Sequence, residues 1–175
     1  ILFRLVGSEM CIRDRHCHSW FSLRYGLMQP RELLKEAKLA GITTLALTDI
    51  NNTSAHWDFV RLASEYDIRP VVGIDFRNKG IDDELPIYIG IAKNTEGYAR
   101  LCAHLNDHLN AHQAFSVETP QIPDVTFICP WERWKLRLEK SPEMQPAGTE
   151  WIGVRPWEQP ELRLLANDPT FKNRI

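Results

Sequence analysis

The chain has 175 residues, of which 43% are apolar and 25% charged, and its formal net charge is −2. This composition predicts a globular domain with its own core and excludes a broadly basic surface for coating nucleic acid. No apolar run is long enough to span a bilayer, and the four scattered cysteines fit neither a zinc motif nor a disulfide framework, which favours a cytoplasmic location.

The first 15 residues differ in character from the rest of the chain. Val6 to Arg15 (VGSEMCIRDR) resembles the translation of sequencing-adapter DNA, and the segment lacks the apolar core of a signal peptide. We therefore expect residues 1–15 to be an artefactual leader. The abrupt end at Ile175 leads us to expect a fragment of a longer chain.

Two histidines open the remaining sequence, in His16-Cys17-His18-Ser19. Histidines one residue apart point to opposite faces within a strand, but at a strand end they can converge on one metal ion. The alternative interpretation is a pair of partly exposed polar residues.

A strand–helix alternation follows. A helix is predicted over Pro30–Ala40, because proline suits its first turn and Gly41 suits its end. The apolar, β-branched run Thr43–Thr48 predicts a buried strand. The strand ends at Asp49, and the carboxyl ends of strands are where α/β folds build their sites.

The alternation continues with short connections. A helix over Ser54–Tyr66 is predicted to bury Trp57, Val60, Leu62 and Ala63. A strand over Val71–Phe76 places Asp75 near its end, and this order predicts a parallel sheet or barrel. The later predicted elements are a strand over Pro86–Ala92, a helix over Asn94–Asp107, a strand over Asp124–Cys129, a loop or short amphipathic turn over Pro130–Lys140, a strand over Trp151–Val154 and a helix over Pro160–Ala166.

Two further patterns have a functional and a structural interpretation. His104, His108 and His112 share one helical face and could bind metal, but no acid or cysteine completes the set, so a solvated face is favoured. A basic and aromatic mix could stack on nucleic-acid bases, although such a mix more often covers a core edge. Its members are Trp131, Arg133, Trp134, Lys135 and Arg137.

Several motifs together resemble one known family. They are His18-Ser19 with Phe21-Ser22-Leu23, Leu45-Ala46-Leu47-Thr48-Asp49, Pro70-Val71-Val72-Gly73-Ile74, and Ala92-Lys93-Asn94 with Gly97-Tyr98. In this order they are similar to the polymerase and histidinol phosphatase (PHP) domain, in the version at the N-terminus of the bacterial replicative DNA polymerase III alpha subunit. The resemblance extends from about Cys17 to His108.

The resemblance implies a fold and a metal site. The implied fold is an α/β, PHP-type distorted seven-stranded (βα) barrel, here incomplete at both ends. Residues 16–114 would form its core, and residues 115–175 a weaker C-terminal part and the start of the next region. The implied metal ligands are His16, His18 and Asp75, with Asp49 beside the cluster, and a functional site would hold Zn or Mn.

The sequence departs from the family pattern at the metal site. Tyr25 replaces an acid, Ile50 and Ile87 replace histidines, and Asp75 replaces a glutamate. A hydrolytic site needs enough ligands to hold the ion and an open position for water. We therefore expect a degenerate site that binds metal poorly, with Arg24 or Arg77 supplying the missing positive charge.

Three functions follow from these observations. The first is a structural and interaction module of a DNA-directed DNA polymerase, whose magnesium-dependent palm is absent from these 175 residues. Its partners would be the rest of the polymerase chain, proofreading and other replisome subunits, and DNA through the full-length protein. No membrane partner is expected. The second is a metal-dependent PHP phosphoesterase or 3′–5′ exonuclease. The third is a metal hydrolase of another α/β family. Under the first, the fragment would have no activity of its own.

Overall fold

A computed structural model describes residues 16–141, 148–155 and 158 of the chain. The expected leader 1–15 and the predicted helix Pro160–Ala166 lie outside these residues. Within the described part, no helix combines the length and the apolar character needed to cross a membrane. The helices are α1 (Pro30–Leu39), α2 (His56–Ala63), α3 (Thr95–Asn110) and α4 (Trp131–Lys140), and the strands are β1 (Thr44–Ile50), β2 (Arg69–Phe76), β3 (Tyr88–Ala92), β4 (Val125–Pro130) and β5 (Glu150–Gly153).

The strands form one five-stranded sheet in the order β1-β2-β3-β4-β5. β1 and β2 are parallel, β3 is antiparallel to both β2 and β4, and β4 and β5 are parallel. The α/β class and the neighbouring positions of the first three strands are therefore confirmed. The all-parallel expectation is wrong at β3, because residues 77–87 contain only a 3₁₀ turn at Gly80–Asp82, and a parallel return needs a longer crossover.

A short extended segment at Cys17 lies beside β1. Cys17 forms a parallel bridge with Leu47, its amide donates to the Ala46 carbonyl at 3.1 Å, and its carbonyl accepts from the Thr48 amide at 2.8 Å. This pairing adds an outer segment next to β1, as expected for part of a barrel. It also fixes the residues on either side of Cys17 near the carboxyl ends of β1 and β2.

The buried face of α2 differs from the predicted one. Two of the four residues predicted to be buried, Leu62 and Ala63, lie in the core, but Trp57 is 78% exposed and Val60 is also exposed. Phe59, which the prediction left out, is fully buried with Leu34 of α1. The core therefore takes the side of the helix that carries Phe59 together with Leu62 and Ala63.

The prediction of a loop or short amphipathic turn over Pro130–Lys140 is wrong, because Trp131–Lys140 forms the helix α4. Trp131 and Trp134 are buried, and the buried Arg137 donates from Nη1 to Glu150 Oε1 at 2.6 Å. The two tryptophans pack with Cys129 and neighbouring apolar residues in a small core. The base-stacking interpretation therefore fails, and the basic and aromatic mix covers a core edge.

Candidate functional site

Three of the predicted metal ligands converge at the carboxyl ends of β1 and β2. His16 and His18 flank the bridged Cys17, and Asp75 pairs in register with Ile50 of β1. His18 Nε2 lies 3.0 Å from Asp75 Oδ2, and His16 Nε2 lies 3.7 Å from the same oxygen. One ligand atom from each residue falls within 4.8 Å of the others, a spacing that suits a single metal ion.

An arginine already binds the carboxylate of this cluster. Arg77 lies two residues after Asp75 and therefore on the same side of the chain. Its Nε donates to Asp75 Oδ1 at 2.9 Å and its Nη2 donates to Oδ2 at 2.7 Å. The two side chains are 2% and 0% exposed, so this bidentate pair is withdrawn from water.

The pair keeps the Asp75 carboxylate charged. Burial alone raises the pKa of Asp75, but hydrogen bonds from His18 and Arg77 outweigh it and hold the pKa below its ordinary value. Burial lowers the pKa of His16 to about 4, although the Asp75 carboxylate opposes this shift. Near neutral pH His16 is therefore neutral, and the guanidinium of Arg77 is a permanent positive charge that faces Asp75.

Asp49 lies beside the cluster but has a different set of partners. Its Oδ1 accepts from the Ser19 amide at 2.7 Å and from the Ser22 hydroxyl at 2.6 Å, and its Oδ2 accepts from the Ser19 hydroxyl at 2.6 Å. Ser22 Oγ in turn accepts from the Ile50 amide at 2.9 Å. Asp49 is fully buried and ties the loop after His18 to β1, so the close group of ligand atoms contains His16, His18 and Asp75 without it.

The positions that depart from the family pattern carry packing contacts. The guanidinium carbon of Arg77 lies 4.3 Å from the centre of the Tyr25 ring, a cation–π distance. Tyr25 Oη donates to the Asp83 carbonyl at 2.9 Å, and Arg77 Nη1 donates to the same carbonyl at 2.6 Å. Ile50 and Ile87 are buried in the core.

Of the two arginines expected to supply charge, Arg77 reaches the site and Arg24 does not. Arg24 pairs at the surface with Asp82 at 3.2 Å. Sequence reasoning missed Asn51, whose Oδ1 accepts from the Arg77 amide at 3.0 Å and whose Nδ2 donates to the Arg77 carbonyl at 2.6 Å. The available signal was an asparagine directly after a strand, a residue type that tolerates the positive φ of 46° found there.

Two histidines of the predicted series, His104 and His108, lie on α3 in an aromatic cluster rather than on a fully solvated face. His104 Nε2 lies 3.0 Å from Tyr88 Oη, and the His108 ring stacks on Phe115 with centroids 4.7 Å apart. His112 is exposed and follows the end of α3. Within the part of the chain that the structure describes, the cluster of His16, His18 and Asp75 is the only group with metal-ligand spacing.

The residues present do not fit a bound hydrolytic metal ion. Both oxygens of Asp75 accept from a buried guanidinium, so a divalent cation would meet a fixed positive charge beside its single acidic ligand. Three protein ligands can leave a position open for activated water, but here both oxygens of the single acidic ligand already accept from Arg77. The arrangement can hold three chain segments together without an ion.

Comparison with known proteins gives consistent results. A family model described as the PHP domain matches residues 14–134. The chain is 34% identical over 106 residues to the error-prone DNA polymerase of Mycobacterium bovis and 33% identical over 103 residues to the DNA polymerase III subunit alpha of Vibrio cholerae. These alignments cover 57% and 55% of this chain but only 10% and 9% of the relatives.

A solved structure also matches. It is assigned as a metal-dependent phosphoesterase from Bifidobacterium adolescentis, with a TM-score of 0.43 and 19% identity, and the match covers 56% of this chain and 33% of that chain. Similarity at this level is too weak to transfer chemistry from one protein to the other.

Proposed function

The chain belongs to the PHP domain family, and on that premise we propose that it is the metal-independent PHP domain of a DNA polymerase of the polymerase III alpha type. Its role would be to brace the polymerase body rather than to hydrolyse a phosphoester. The observation that carries this proposal is the buried bidentate pair between Arg77 and Asp75. A guanidinium at that position supplies the charge that a metal ion would otherwise bring.

The relatives support the polymerase context. Both the polymerase III alpha subunit and the error-prone polymerases align with this segment, and the chain spans about a tenth of their length. Nucleotide addition, with its magnesium-binding palm, would then belong to other parts of such a protein. The proposed partners are the remainder of the polymerase chain and, through it, proofreading and other replisome subunits and DNA, in the cytoplasm.

A metal-dependent phosphoesterase or 3′–5′ exonuclease is the second candidate. The favouring observation is the spacing of His16, His18 and Asp75, whose ligand atoms lie within 4.8 Å of one another. Against it stand the guanidinium on Asp75 and the serine partners of Asp49. These contacts leave His16 and His18 beside an acid that is already neutralised.

The test uses the full-length polymerase gene that carries this domain. We expect the purified protein to extend primers, to contain less than stoichiometric zinc or manganese in the PHP domain, and to release no nucleotides from a 3′ end by a route that requires His18. A deletion variant of the polymerase that lacks residues 16–134 should lose thermal stability and primer extension together. Stoichiometric metal with exonuclease activity abolished by His18→Ala would show that the domain is an enzyme.

A further inference from the structure

We propose that Arg77 is a resident cation that takes the place of a metal ion, and that removing its guanidinium exposes a latent site for one divalent transition-metal ion on His16, His18 and Asp75. This inference rests on the proposed function, because it identifies the residue that makes the domain metal-independent. Two imidazoles and a carboxylate suit ions such as Zn²⁺ or Co²⁺. The guanidinium of Arg77 would then oppose metal binding in addition to the missing ligands.

The charge balance at Asp75 favours a cation beside its carboxylate. The carboxylate is fully buried, and its compensation comes from two guanidinium N–H groups and from His18 Nε2. A buried charge left without a partner is strongly destabilising. Without the guanidinium, Asp75 would therefore favour the entry of another cation at the same place.

The Arg77 guanidinium links three segments of the chain, as a bound ion would. It binds Asp75 on β2, donates from Nη1 to the Asp83 carbonyl in the following loop, and stacks on Tyr25 in the loop after His18. The phenol of Tyr25 reaches the same Asp83 carbonyl. A metal ion that joins ligands from separate segments stabilises a fold in the same way.

The two histidines do not depend on Arg77 for their position. His16 Nδ1 is hydrogen-bonded to Thr48 Oγ1 at 2.8 Å, which leaves Nε2 directed at Asp75. Metal-binding histidines are commonly oriented by such a bond to the second ring nitrogen. Both histidines are also held by the backbone bridge of Cys17 to β1, so the ligands remain together when the arginine is replaced.

The test is a cobalt titration of the 175-residue chain and four variants, with CoCl₂ as the only added ligand. Arg77→Met removes the charge and keeps an unbranched apolar side chain, Arg77→Gln is a second neutral replacement, and Arg77→Met with His18→Ala removes one ligand as well. Arg24→Met is the matched control, because Arg24 is an exposed arginine near the same loop with only a surface partner. Visible absorption of Co²⁺ reports the ligand set, and thermal unfolding reports the coupling of binding to folding.

We expect Arg77→Met to bind one equivalent of Co²⁺ at least about tenfold more tightly than the unaltered chain, in the range by which supporting groups change metal affinity. Its melting temperature should rise with added Co²⁺, and that of the unaltered chain and of Arg24→Met should not. The double variant should lose the absorption band. If Arg77→Met is unfolded without metal, refolding on addition of Co²⁺ supports the inference.

Three results would overturn the inference and leave the proposed function intact. The first is a folded Arg77→Met that binds no Co²⁺, and the second is failure of both Arg77→Met and Arg77→Gln to fold even with Co²⁺. The third is an equal increase in Co²⁺ affinity in Arg24→Met, because the binding would then not depend on the site. Tight stoichiometric binding by the unaltered chain, with phosphoester hydrolysis, would overturn the inference and the proposed function together.

Discussion

Asp49 accepts hydrogen bonds from both the backbone amide and the hydroxyl of Ser19, at 2.7 and 2.6 Å, across 30 positions of the chain. A residue expected beside the metal cluster therefore holds a loop to β1. Asp49→Ala would leave the buried hydroxyls of Ser19 and Ser22 without their acceptor. We expect the free energy of unfolding to fall by about 3 kcal/mol in urea denaturation, because hydrogen bonds to charged groups are each worth about 1.5–3 kcal/mol.

The matched control for Asp49 is Asp58→Ala. Asp58 is an exposed acid of α2 whose partner is Arg61 at 3.2 Å. Its removal should change stability by less than about 0.5 kcal/mol, because exposed ion pairs contribute little. Similar losses in the two variants would show that the serine contacts do not stabilise the fold.

Arg77→Met should destabilise the metal-free chain by about 3–5 kcal/mol, because it leaves the Asp75 carboxylate buried and unpaired. The double variant Asp75→Asn with Arg77→Met should recover part of that loss, since the uncompensated charge is removed. A double-mutant cycle from urea denaturation measures this coupling. Strictly additive losses would mean that the two side chains do not stabilise each other.

Stability should fall with acid through His56. This residue is 3% exposed, and burial lowers its pKa to about 4, against the opposing charge of Asp49. The folded state thus keeps His56 neutral, while the unfolded chain gains a proton below its ordinary pKa of about 6.5. The stability that comes from keeping His56 neutral is fully present above about pH 6.5. It decreases as pH falls from about 6.5 towards 4, and at pH 5 about 2 kcal/mol of the free energy of unfolding is lost.

The measurement is urea denaturation between pH 7.5 and pH 4.5 on the unaltered chain and on His56→Gln. The slope of stability against pH should be smaller in His56→Gln, because the titrating group is gone. His112→Gln is the control, since that histidine is exposed, and its slope should match that of the unaltered chain. An unchanged slope in His56→Gln would assign the acid sensitivity to other groups.

The orientation of α2 can be tested with two aromatic residues. Phe59 is fully buried, and Phe59→Ala should lower the free energy of unfolding by about 3–5 kcal/mol through lost burial and an unfilled cavity. Trp57→Ala should change it by less than about 0.5 kcal/mol, because that side chain is mostly exposed. Thermal or urea unfolding distinguishes the two, and a larger loss at Trp57 would mean that the helix is turned the other way.

Local patterns predicted the elements whose determinants are local. The strands around Thr48 and Phe76 and the helix from Pro30 follow from β-branched runs, helical spacing and caps. The antiparallel course of β3 depends on what residues 77–87 can span, and the buried stripe of α2 depends on its neighbours. Neither the direction of β3 nor the buried stripe of α2 can be predicted from a short segment of sequence alone.

The candidate site was also predicted only in part. His16, His18 and Asp75 could be named from a resemblance, and a countercharge could be inferred because an acid cluster without a metal repels itself. The structure selects Arg77 over Arg24 through the positions of two loops. The serine partners of Asp49 could not be foreseen, because they depend on how the chain turns after His18.

The bond between His18 and Asp75 joins residues 57 positions apart, and the contact of Tyr25 with Asp83 spans 58. Closing a loop of that length costs chain entropy before the contact returns any energy, so these contacts are expected to form late on the folding path. Interactions absent from the transition state act on the unfolding rate. The contacts of His18 and Tyr25 would therefore govern how long the native domain persists once formed, and His18→Ala should accelerate unfolding while leaving the refolding rate nearly unchanged in stopped-flow measurements.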